Sequence, residues 1–216
     1  MNVTNIKKIS LTAIFIAVSS FASAGVTQGT YVGLSVGGAN QFMNFNQGSF
    51  NQNTSGNDVI GQQWSGVGRV FSGYNFGRYA ALEGGFAYTT SADFNYPNGL
   101  GDFNMNASTL DVSFLPMLPV SNSPITVFGR LGVTYNWLTT NSDNCNCDGK
   151  SLSAPYSANF ADELGAGVRY KINANFSTRL EWLANGLIFP VGLNSGNTQV
   201  GKWSEQTFQI GGAYHF

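Results

Sequence analysis

The sequence has few charged residues, one histidine, two cysteines and, after its first 24 residues, no long apolar run. Charged residues make up 10% of the 216 residues, against about 25% in ordinary soluble domains. The net charge of −1 excludes a broadly basic protein that binds nucleic acid. A bilayer-spanning helix needs about 20 consecutive apolar residues, so no later segment is predicted to cross a membrane as a helix.

The first residues have the pattern of a secretory signal peptide. Two adjacent lysines precede an apolar stretch over residues 9–18, and the three small residues that end at Ala24 fit a cleavage site. The apolar stretch is only about ten residues long, too short for a membrane-spanning anchor. We therefore predict a signal peptide over residues 1–24 and a mature domain over residues 25–216.

What the chain does contain is glycine and aromatic residues arranged with a period of two. It has 27 glycines, 17 phenylalanines and 9 tyrosines. From Ile125 to Trp137 one phase is apolar or glycine throughout, whereas the other phase includes Thr126 and Arg130. This alternation is typical of a β-strand with two different faces. Seven other segments alternate in the same way, so the eight predicted strands cover residues 29–42, 65–76, 80–91, 106–118, 125–138, 158–172, 176–186 and 205–216.

Nine charged residues fall on the phase opposite the apolar face: Arg69, Glu83, Asp111, Arg130, Glu163, Arg169, Lys171, Arg179 and Glu181. A soluble sandwich would bury the apolar face and expose these charges, whereas a membrane barrel turns the apolar face to lipid and encloses the charges. Lipid cannot satisfy an open strand edge, so a membrane sheet must close. We therefore predict an all-β fold, an eight-stranded antiparallel up-and-down transmembrane β-barrel.

The connections between the predicted strands alternate between short and long. The short links are turn-forming sequences at residues 77–79, 119–124 and 173–175. The long links are rich in Asn, Ser and Gly and cover about residues 43–64, 92–105, 139–157 and 187–204. Because an even number of strands returns both chain ends to the periplasm, we predict short periplasmic turns and four long extracellular loops.

The last strand carries an outward apolar set that ends on an aromatic residue: Phe208, Ile210, Tyr214 and Phe216. Together with the run from Gly68 to Phe76 and the run from Leu82 to Tyr88, this strand resembles those of small eight-stranded outer-membrane barrels of the OmpA, OmpX and Opa kind. The resemblance covers the whole mature chain. It implies a monomer in the bacterial outer membrane, surrounded by lipid and lipopolysaccharide, whose closing strand is the insertion signal for the barrel-assembly machinery.

The interior of an eight-stranded barrel is just wide enough for side chains to fill. We therefore expect the nine inward charges to form a rigid salt-bridge core that plugs the lumen. Arg69 and Glu83 are expected to pair, because they lie on adjacent strands across a short turn. Further pairs are expected between the sixth and seventh predicted strands, where Arg169 or Lys171 would pair with Arg179 or Glu181. The alternative role for these charges is a gate that exchanges partners to admit ions.

These features predict a non-enzymatic structural component of the envelope that also serves as a surface-exposed scaffold for interaction or adhesion. A narrow channel for ions or small solutes is the alternative. A lipid A-modifying enzyme is a less favoured alternative, which arises because barrels of this kind include such enzymes. Their chemistry needs a base such as His beside a Ser. The one histidine, His215, is expected at the periplasmic end, far from the outer leaflet. No catalytic residue, metal ligand or cofactor is predicted.

The third long link holds two cysteines and a short Asn- and Asp-rich motif. Cys145 and Cys147 would form a small, strained loop disulfide in an oxidising envelope, with pairing between two molecules as the alternative; the sequence does not determine their redox state. The segment from Asn144 to Gly149 matches the first half of an EF-hand loop, but Pro155 stands where the bidentate glutamate should be. Two thiols with no histidine nearby also make a poor zinc site.

Outside the barrel wall, acids outnumber bases. The predicted loops and strand ends carry two basic residues, Lys150 and Lys202. They carry seven acidic residues: Asp58, Asp93, Asp102, Asp143, Asp148, Asp162 and Glu205. The predicted outer surface is therefore acidic, which disfavours adhesion through a basic patch. Contact with a host or surface ligand would use aromatic and amide groups, including Phe45 and Phe50. Phe42 and Trp64 are predicted to belong to the outer aromatic girdle.

Overall fold

The computed structural model describes residues 28–46, 57–95, 102–141, 157–195 and 198–216. Nine β-strands make up most of this part of the chain: β1 (Gln28–Asn46), β2 (Asn57–Phe76), β3 (Ala80–Asn95), β4 (Asp102–Pro119), β5 (Ile125–Asn141), β6 (Ser157–Lys171), β7 (Phe176–Asn185), β8 (Val191–Ser195) and β9 (Thr198–His215). No helix in these ranges is long and apolar enough to cross a bilayer. The predicted signal peptide lies outside the described residues.

Eight of the strands form a closed antiparallel ring. Each strand from β1 to β6 pairs with the next one along the chain, β7 pairs with β9, and β9 pairs with β1. The closing seam runs from Tyr31 opposite His215 to Phe45 opposite Gly201. The predicted eight-stranded antiparallel barrel is confirmed, and its closure satisfies the strand edges that lipid cannot.

β8 is an additional strand that lies outside the ring. β7 ends at Asn185, and Gly186 follows with a φ of +68°, a conformation that favours glycine. β8 then pairs with the outer part of β9. The long link predicted over residues 187–204 therefore contains a strand that its assignment as a loop did not include. This segment starts with consecutive apolar residues, Leu187 to Val191, which do not alternate with polar residues as a strand with two different faces would.

The hairpin of β1 and β2 also extends further outward than predicted. β1 continues to Asn46 and β2 begins at Asn57, so much of the predicted loop over residues 43–64 is a paired ladder. Backbone pairing does not depend on lipid. Strands rich in Asn and Gln can therefore continue beyond the bilayer, where their outward side chains are solvated.

The outward face of the ring is apolar, as predicted. Leu34, Leu131, Leu180 and Ile210 are 64%, 55%, 61% and 56% exposed. Side chains on the opposite phase are buried inside the ring. In a membrane barrel the outward band faces lipid and the inward phase fills the lumen.

Short turns close the periplasmic end. In the β6–β7 turn, Oδ1 of Asn173 accepts hydrogen bonds from the backbone N–H groups of Asn175 and Phe176, both at 2.9 Å. In the β4–β5 turn, Asn122 has a φ of 55°, which asparagine tolerates better than most residues. Asparagine chemistry therefore fixes two of the three predicted turns.

Candidate functional site in the barrel lumen

Seven charged side chains meet in the lumen, and we call them the ion-pair layer: Arg69, Glu83, Asp111, Arg130, Glu163, Arg179 and Glu181. Each of these side chains is at most 2% exposed. They come from β2, β3, β4, β5, β6 and β7, because each lies on the inward phase of its strand. The period of two thus brings to one place residues that are up to 112 positions apart in the sequence.

Arg69 joins carboxylates from two strands. Its Nη2 and Nε lie 2.5 and 3.0 Å from the two carboxylate oxygens of Asp111, the bidentate geometry that guanidinium favours. Its Nη1 lies 3.0 Å from Oε1 of Glu83. The contact with Glu83 is one of the pairs expected from the sequence.

Arg130 is fully buried and contacts carboxylates on four other strands. Its Nη1 lies 3.1 Å from Oε1 of Glu163, and its Nη2 lies 3.4 Å from Oε2 of Glu181. Nη2 also pairs with Glu83, and Nη1 lies 3.4 Å from Oδ1 of Asp111. Nε of Arg130 has no hydrogen-bond partner in the described part of the chain. One guanidinium therefore connects β3, β4, β6 and β7.

Glu83 is the carboxylate with the most partners. Nη1 of Arg179 lies 2.6 Å from Oε2 of Glu83, and Nη2 lies 3.1 Å from Oε1. The hydroxyl of Tyr31 donates a hydrogen bond to Oε2 at 2.8 Å. With Arg69 and Arg130, three guanidinium groups surround this one carboxylate. Removing it would leave buried charges unpaired, at a cost of about 3–5 kcal/mol.

A layer of large apolar side chains separates the ion-pair layer from the periplasm, and we call it the aromatic septum. It consists of the buried residues Tyr31, Phe71, Leu115, Met117 and Phe128. The ring of Phe71 packs edge-to-face on Tyr31, with centroids 6.3 Å apart. The septum fills the lumen below the charges.

Glycines on the surrounding strands make room for the septum rings. A Cβ at Gly33 would lie 2.2 Å from Cζ of Phe71, and a Cβ at Gly167 would lie 2.4 Å from Cζ of Phe128. Both distances are far below van der Waals contact, so each ring occupies the space that a side chain on the facing strand would need. The glycine content of the sequence thus has a packing cause at these positions.

On the outer side of the ion-pair layer, the lumen is first polar and then apolar. The buried polar residues are Thr89, Thr109, Thr134, Asn136, Thr207 and Gln209. An apolar cluster lies further outward and includes Met43, Phe94, Met105, Leu138, Val191 and Trp203. Side chains therefore fill the lumen at successive levels from the septum outward.

Glu205 belongs to this outer half of the lumen, and the prediction that it lies on the external surface was wrong. It is 2% exposed and forms a side-chain hydrogen bond with Thr89. Its Oε2 has no partner among the described residues. β9 begins at Thr198, seven positions earlier than the predicted strand, so residue 205 lies within the barrel wall.

Asp162 does lie on the outward face, where it has a structural contact. Its Oδ1 accepts hydrogen bonds from the backbone N–H groups of Ile188 and Phe189 at 3.1 and 2.6 Å. The carboxylate therefore fixes the segment that follows β7. The side chains of Leu187, Ile188 and Phe189 are 53%, 60% and 68% exposed beside it.

Arg169 and Lys171 do not join the ion-pair layer, so the expected pairs with Arg179 or Glu181 were wrong. Arg169 lies directly opposite Arg179 in the β6–β7 register, a like-charge position. The septum separates the two guanidinium groups, because Arg169 stacks on Phe128 from the periplasmic side. Lys171 is exposed, and neither residue forms an ion pair within the described ranges.

One contact that the sequence analysis missed joins Ser177 and His215. Ser177 Oγ lies 2.8 Å from Nε2 of His215 at the periplasmic end. The register of β7 against β9, which places Ser177 opposite Ala213, is the signal that could have revealed it. In the described part of the chain, no carboxylate is hydrogen-bonded to His215, so the pair lacks the group that orients the base in a catalytic triad.

The residues of the predicted insertion signal lie on the outward face of β9. Phe208, Ile210, Tyr214 and Phe216 are all exposed, and the rings of Tyr214 and Phe216 pack edge-to-face with centroids 5.1 Å apart. Their role in insertion remains a prediction. Cys145, Cys147 and the EF-hand-like motif lie outside the described residues, as do the side chains of Phe45 and Phe50.

The predicted girdle residues differ in exposure. Trp64 is 61% exposed on the outward face of β2, whereas Phe42 is only partly exposed. In β5 and β6, Tyr135 packs against Trp137 and Phe160 with ring centroids 4.7 and 4.9 Å apart. Aromatic residues thus cluster on the outer part of the outward surface, where a girdle is expected.

Comparison with known proteins agrees with this architecture. A family model described as "Outer membrane protein beta-barrel domain" matches residues 9–216. The fold is similar to that of Neisserial surface protein A, with a TM-score of 0.57 and 14% identity over 90% of this chain and 100% of that one. It is also similar to the outer membrane protein AlkL, with a TM-score of 0.53 and 13% identity over 91% and 94% of the two chains. No curated protein sequence matches significantly. At these identities the two structures show a common fold.

Proposed function

Because the chain belongs to the outer membrane protein β-barrel domain family, we propose that it is a non-enzymatic structural component of the bacterial outer membrane and a scaffold for surface interaction. Its first 24 residues are removed as a signal peptide, and residues 25–216 form the membrane domain. The insertion signal that the barrel-assembly machinery reads is the closing strand, through Phe208, Ile210, Tyr214 and Phe216.

The filled lumen is the observation that carries this proposal. The ion-pair layer crosses the barrel with seven buried charges, and the septum closes the lumen beneath it. A barrel filled in this way serves as a rigid support, because an eight-stranded wall encloses little more than its own side chains. The outward band and the connections at the outer end are the parts that would contact lipid and a surface ligand.

The proposed partners follow from these two surfaces. Outer-membrane lipid and lipopolysaccharide contact the apolar band and its aromatic residues, and a host or surface ligand contacts the outer connections. The protein acts as a monomer, because the eight-stranded ring closes within one chain and needs no second copy to satisfy a strand edge. It requires no cofactor.

A deletion strain tests this proposal. We expect the deletion to raise sensitivity to detergent, and a variant whose four outer connections are shortened to restore resistance if the barrel itself supports the envelope. Rescue by the full protein alone would assign the function to the outer connections. An unchanged deletion strain that also loses no surface binding would contradict both parts of the proposal.

A narrow channel is the second candidate, and an imperfection of the ion-pair layer favours it. Nε of Arg130 and Nε of Arg179 have no hydrogen-bond partner among the described residues, and the layer contains three arginines against four carboxylates. Such a network has alternative pairings to adopt. Single-channel recording in planar bilayers tests this: a channel predicts discrete conductance that changes in Arg130→Gln, whereas a plugged barrel gives none.

An enzyme remains the least supported candidate. Ser177 and His215 form the one serine–histidine contact in the described lumen, and it lies at the end opposite the outer leaflet. Lipid A modification predicts a changed lipid A mass in cells that overproduce the protein, lost in His215→Ala. We expect the mass to be unchanged.

A further inference from the structure

The periplasmic end of the lumen is a cavity with a volume of about 800 Å³. It lies beneath the septum, and its lining includes Asn75, Met117, Arg169, Lys171, Ser177 and His215. Sites for small molecules in proteins have volumes of about 300–1,000 Å³. The cavity is therefore large enough for an organic molecule.

The charged side chains that line this cavity are all basic. Arg78, Arg169 and Lys171 line it, and no Asp or Glu side chain does. None of the three forms an ion pair with a described residue. His215 lines the same cavity as Arg169 and Lys171. The cavity therefore presents a positive potential to the periplasm.

Arg169 is the residue that makes this cavity more than a basic surface. Only 9% of Arg169 is exposed, and its guanidinium carbon lies 5.2 Å from the ring centroid of Tyr31 and 5.8 Å from that of Phe128. Its polar contacts are long: Nη1 lies 3.4 Å from Oδ1 of Asn75 and 3.7 Å from the sulfur of Met117. Both contacts use Nη1, so the Nε and Nη2 donors remain for a ligand.

The three other buried arginines show what Arg169 lacks. Arg69, Arg130 and Arg179 each pair with at least two carboxylates, whereas Arg169 pairs with none in the described part of the chain. A guanidinium that is nine-tenths buried is stabilised by a partner anion. The Nε and Nη2 edge is also the fork that binds two oxygens of a carboxylate or phosphate.

We propose that the periplasmic mouth of the barrel binds an organic phosphate or carboxylate through the Arg169 guanidinium. Lys171, two residues along the same strand, adds a second positive charge. The Ser177 hydroxyl and the His215 imidazole, 2.8 Å apart, supply polar groups beside it. Tyr31 connects the two regions, since its ring contacts Arg169 and its hydroxyl binds Glu83.

The test uses the folded protein in nanodiscs of dimyristoylphosphatidylcholine. Inorganic phosphate and succinate are titrated at constant ionic strength, and backbone amide NMR signals of Lys171, Ser177 and His215 are followed. We expect saturable shifts at the periplasmic end, with a Kd of about 1 mM for each anion. Shifts that grow without saturation, or that spread evenly over the barrel, would refute the site.

Matched variants assign the binding to Arg169. Arg169→Gln should weaken binding at least about tenfold, the effect of losing one charged hydrogen-bonding group, and Lys171→Gln should weaken it less. Lys202→Gln is the control, because Lys202 is exposed at the outer end of β9, and it should leave the Kd unchanged. Unaltered affinity in Arg169→Gln would overturn the proposal. If that variant does not fold, Arg169→Lys keeps the charge but loses the fork, and should still weaken binding.

A second lipid distinguishes a soluble anion from a lipid headgroup. In nanodiscs that contain dimyristoylphosphatidylglycerol, a headgroup ligand would shift the same amide signals before any titration and would compete with phosphate. Equal phosphate affinity in both nanodiscs identifies a soluble periplasmic anion as the ligand. The site exists in either case, provided that Arg169→Gln abolishes the effect.

Discussion

Arg169 and Arg179 lie directly opposite each other across β6 and β7, yet they belong to two different regions of the lumen. Arg179 enters the ion-pair layer, 2.6 Å from Glu83 and 3.0 Å from Glu181. Arg169 lies on the other side of the septum, at the periplasmic mouth, without a carboxylate. The comparison teaches that strand register brings residues to one level, whereas the packing of the rings between them decides which charges meet.

Neutralising the most connected carboxylate should break the ion-pair layer most severely. We expect Glu83→Gln to lower the free energy of unfolding by about 3–5 kcal/mol, because three guanidinium groups lose a shared partner. Urea unfolding in lipid vesicles measures this. Glu205→Gln is the control, since Glu205 is equally buried but pairs with no cation, and it should cost much less. Equal losses in the two variants would mean that the pairing is not what stabilises the layer.

Neutralising the two facing arginines compares the two regions directly. Arg179→Gln should cost about 3 kcal/mol, since it leaves Glu83 and Glu181 short of a partner. Arg169→Gln should cost about 1 kcal/mol, the loss of its contacts with aromatic rings. The same unfolding experiment measures both. A reversed order would show that the septum does not separate the two environments.

Adding one methyl group tests how tightly the layer is packed. A Cβ at Gly85 would lie 2.5 Å from Nη2 of Arg69, so Gly85→Ala should displace that guanidinium and cost about 1–3 kcal/mol. A Cβ at Gly68 would meet nothing within 4 Å. Gly68→Ala therefore controls for the change of residue type in a strand. Gly85→Ala should have a lower free energy of unfolding than Gly68→Ala.

The smallest effect is expected at the rim of the periplasmic mouth. Lys171→Gln should change the free energy of unfolding by less than about 0.5 kcal/mol, because the side chain is exposed and unpaired. Heat-modified migration of the native protein on a detergent gel checks that the barrel is intact. A large loss of stability would show that Lys171 has a structural partner after all.

Much of the barrel could be predicted from the sequence, and the errors have physical causes. The outward set from Val32 to Phe216 follows from alternation alone, because a strand must turn successive side chains to opposite faces. Alternation also identified every member of the ion-pair layer. It failed at β8, where the apolar run after Gly186 obscures the period, and at Glu205, where a strand continues beyond the membrane with polar residues.

Pairing within the lumen could not be predicted in the same way. Arg69 and Glu83 lie on strands joined by one short turn, so a contact between them could be expected, although the register places Ala87 opposite Arg69 and Gly73 opposite Glu83. Arg130 contacts carboxylates of β3, β4, β6 and β7, and the contacts with β3 and β7 cross the barrel interior. The position of each residue in its strand predicts that its side chain points inward. It does not predict which side chains on non-adjacent strands will be in contact.

The sequence by itself determined the strands, their inward and outward faces and the closed ring, because the period of two and the intolerance of lipid for unpaired backbone leave little freedom. Only the tertiary structure decided that Tyr31, Phe71 and Phe128 divide the lumen. Their rings lie over glycines of neighbouring strands, and no single strand records that fit. That division separates the paired arginines from Arg169, so the anion site proposed at the periplasmic mouth is a consequence of packing across the barrel.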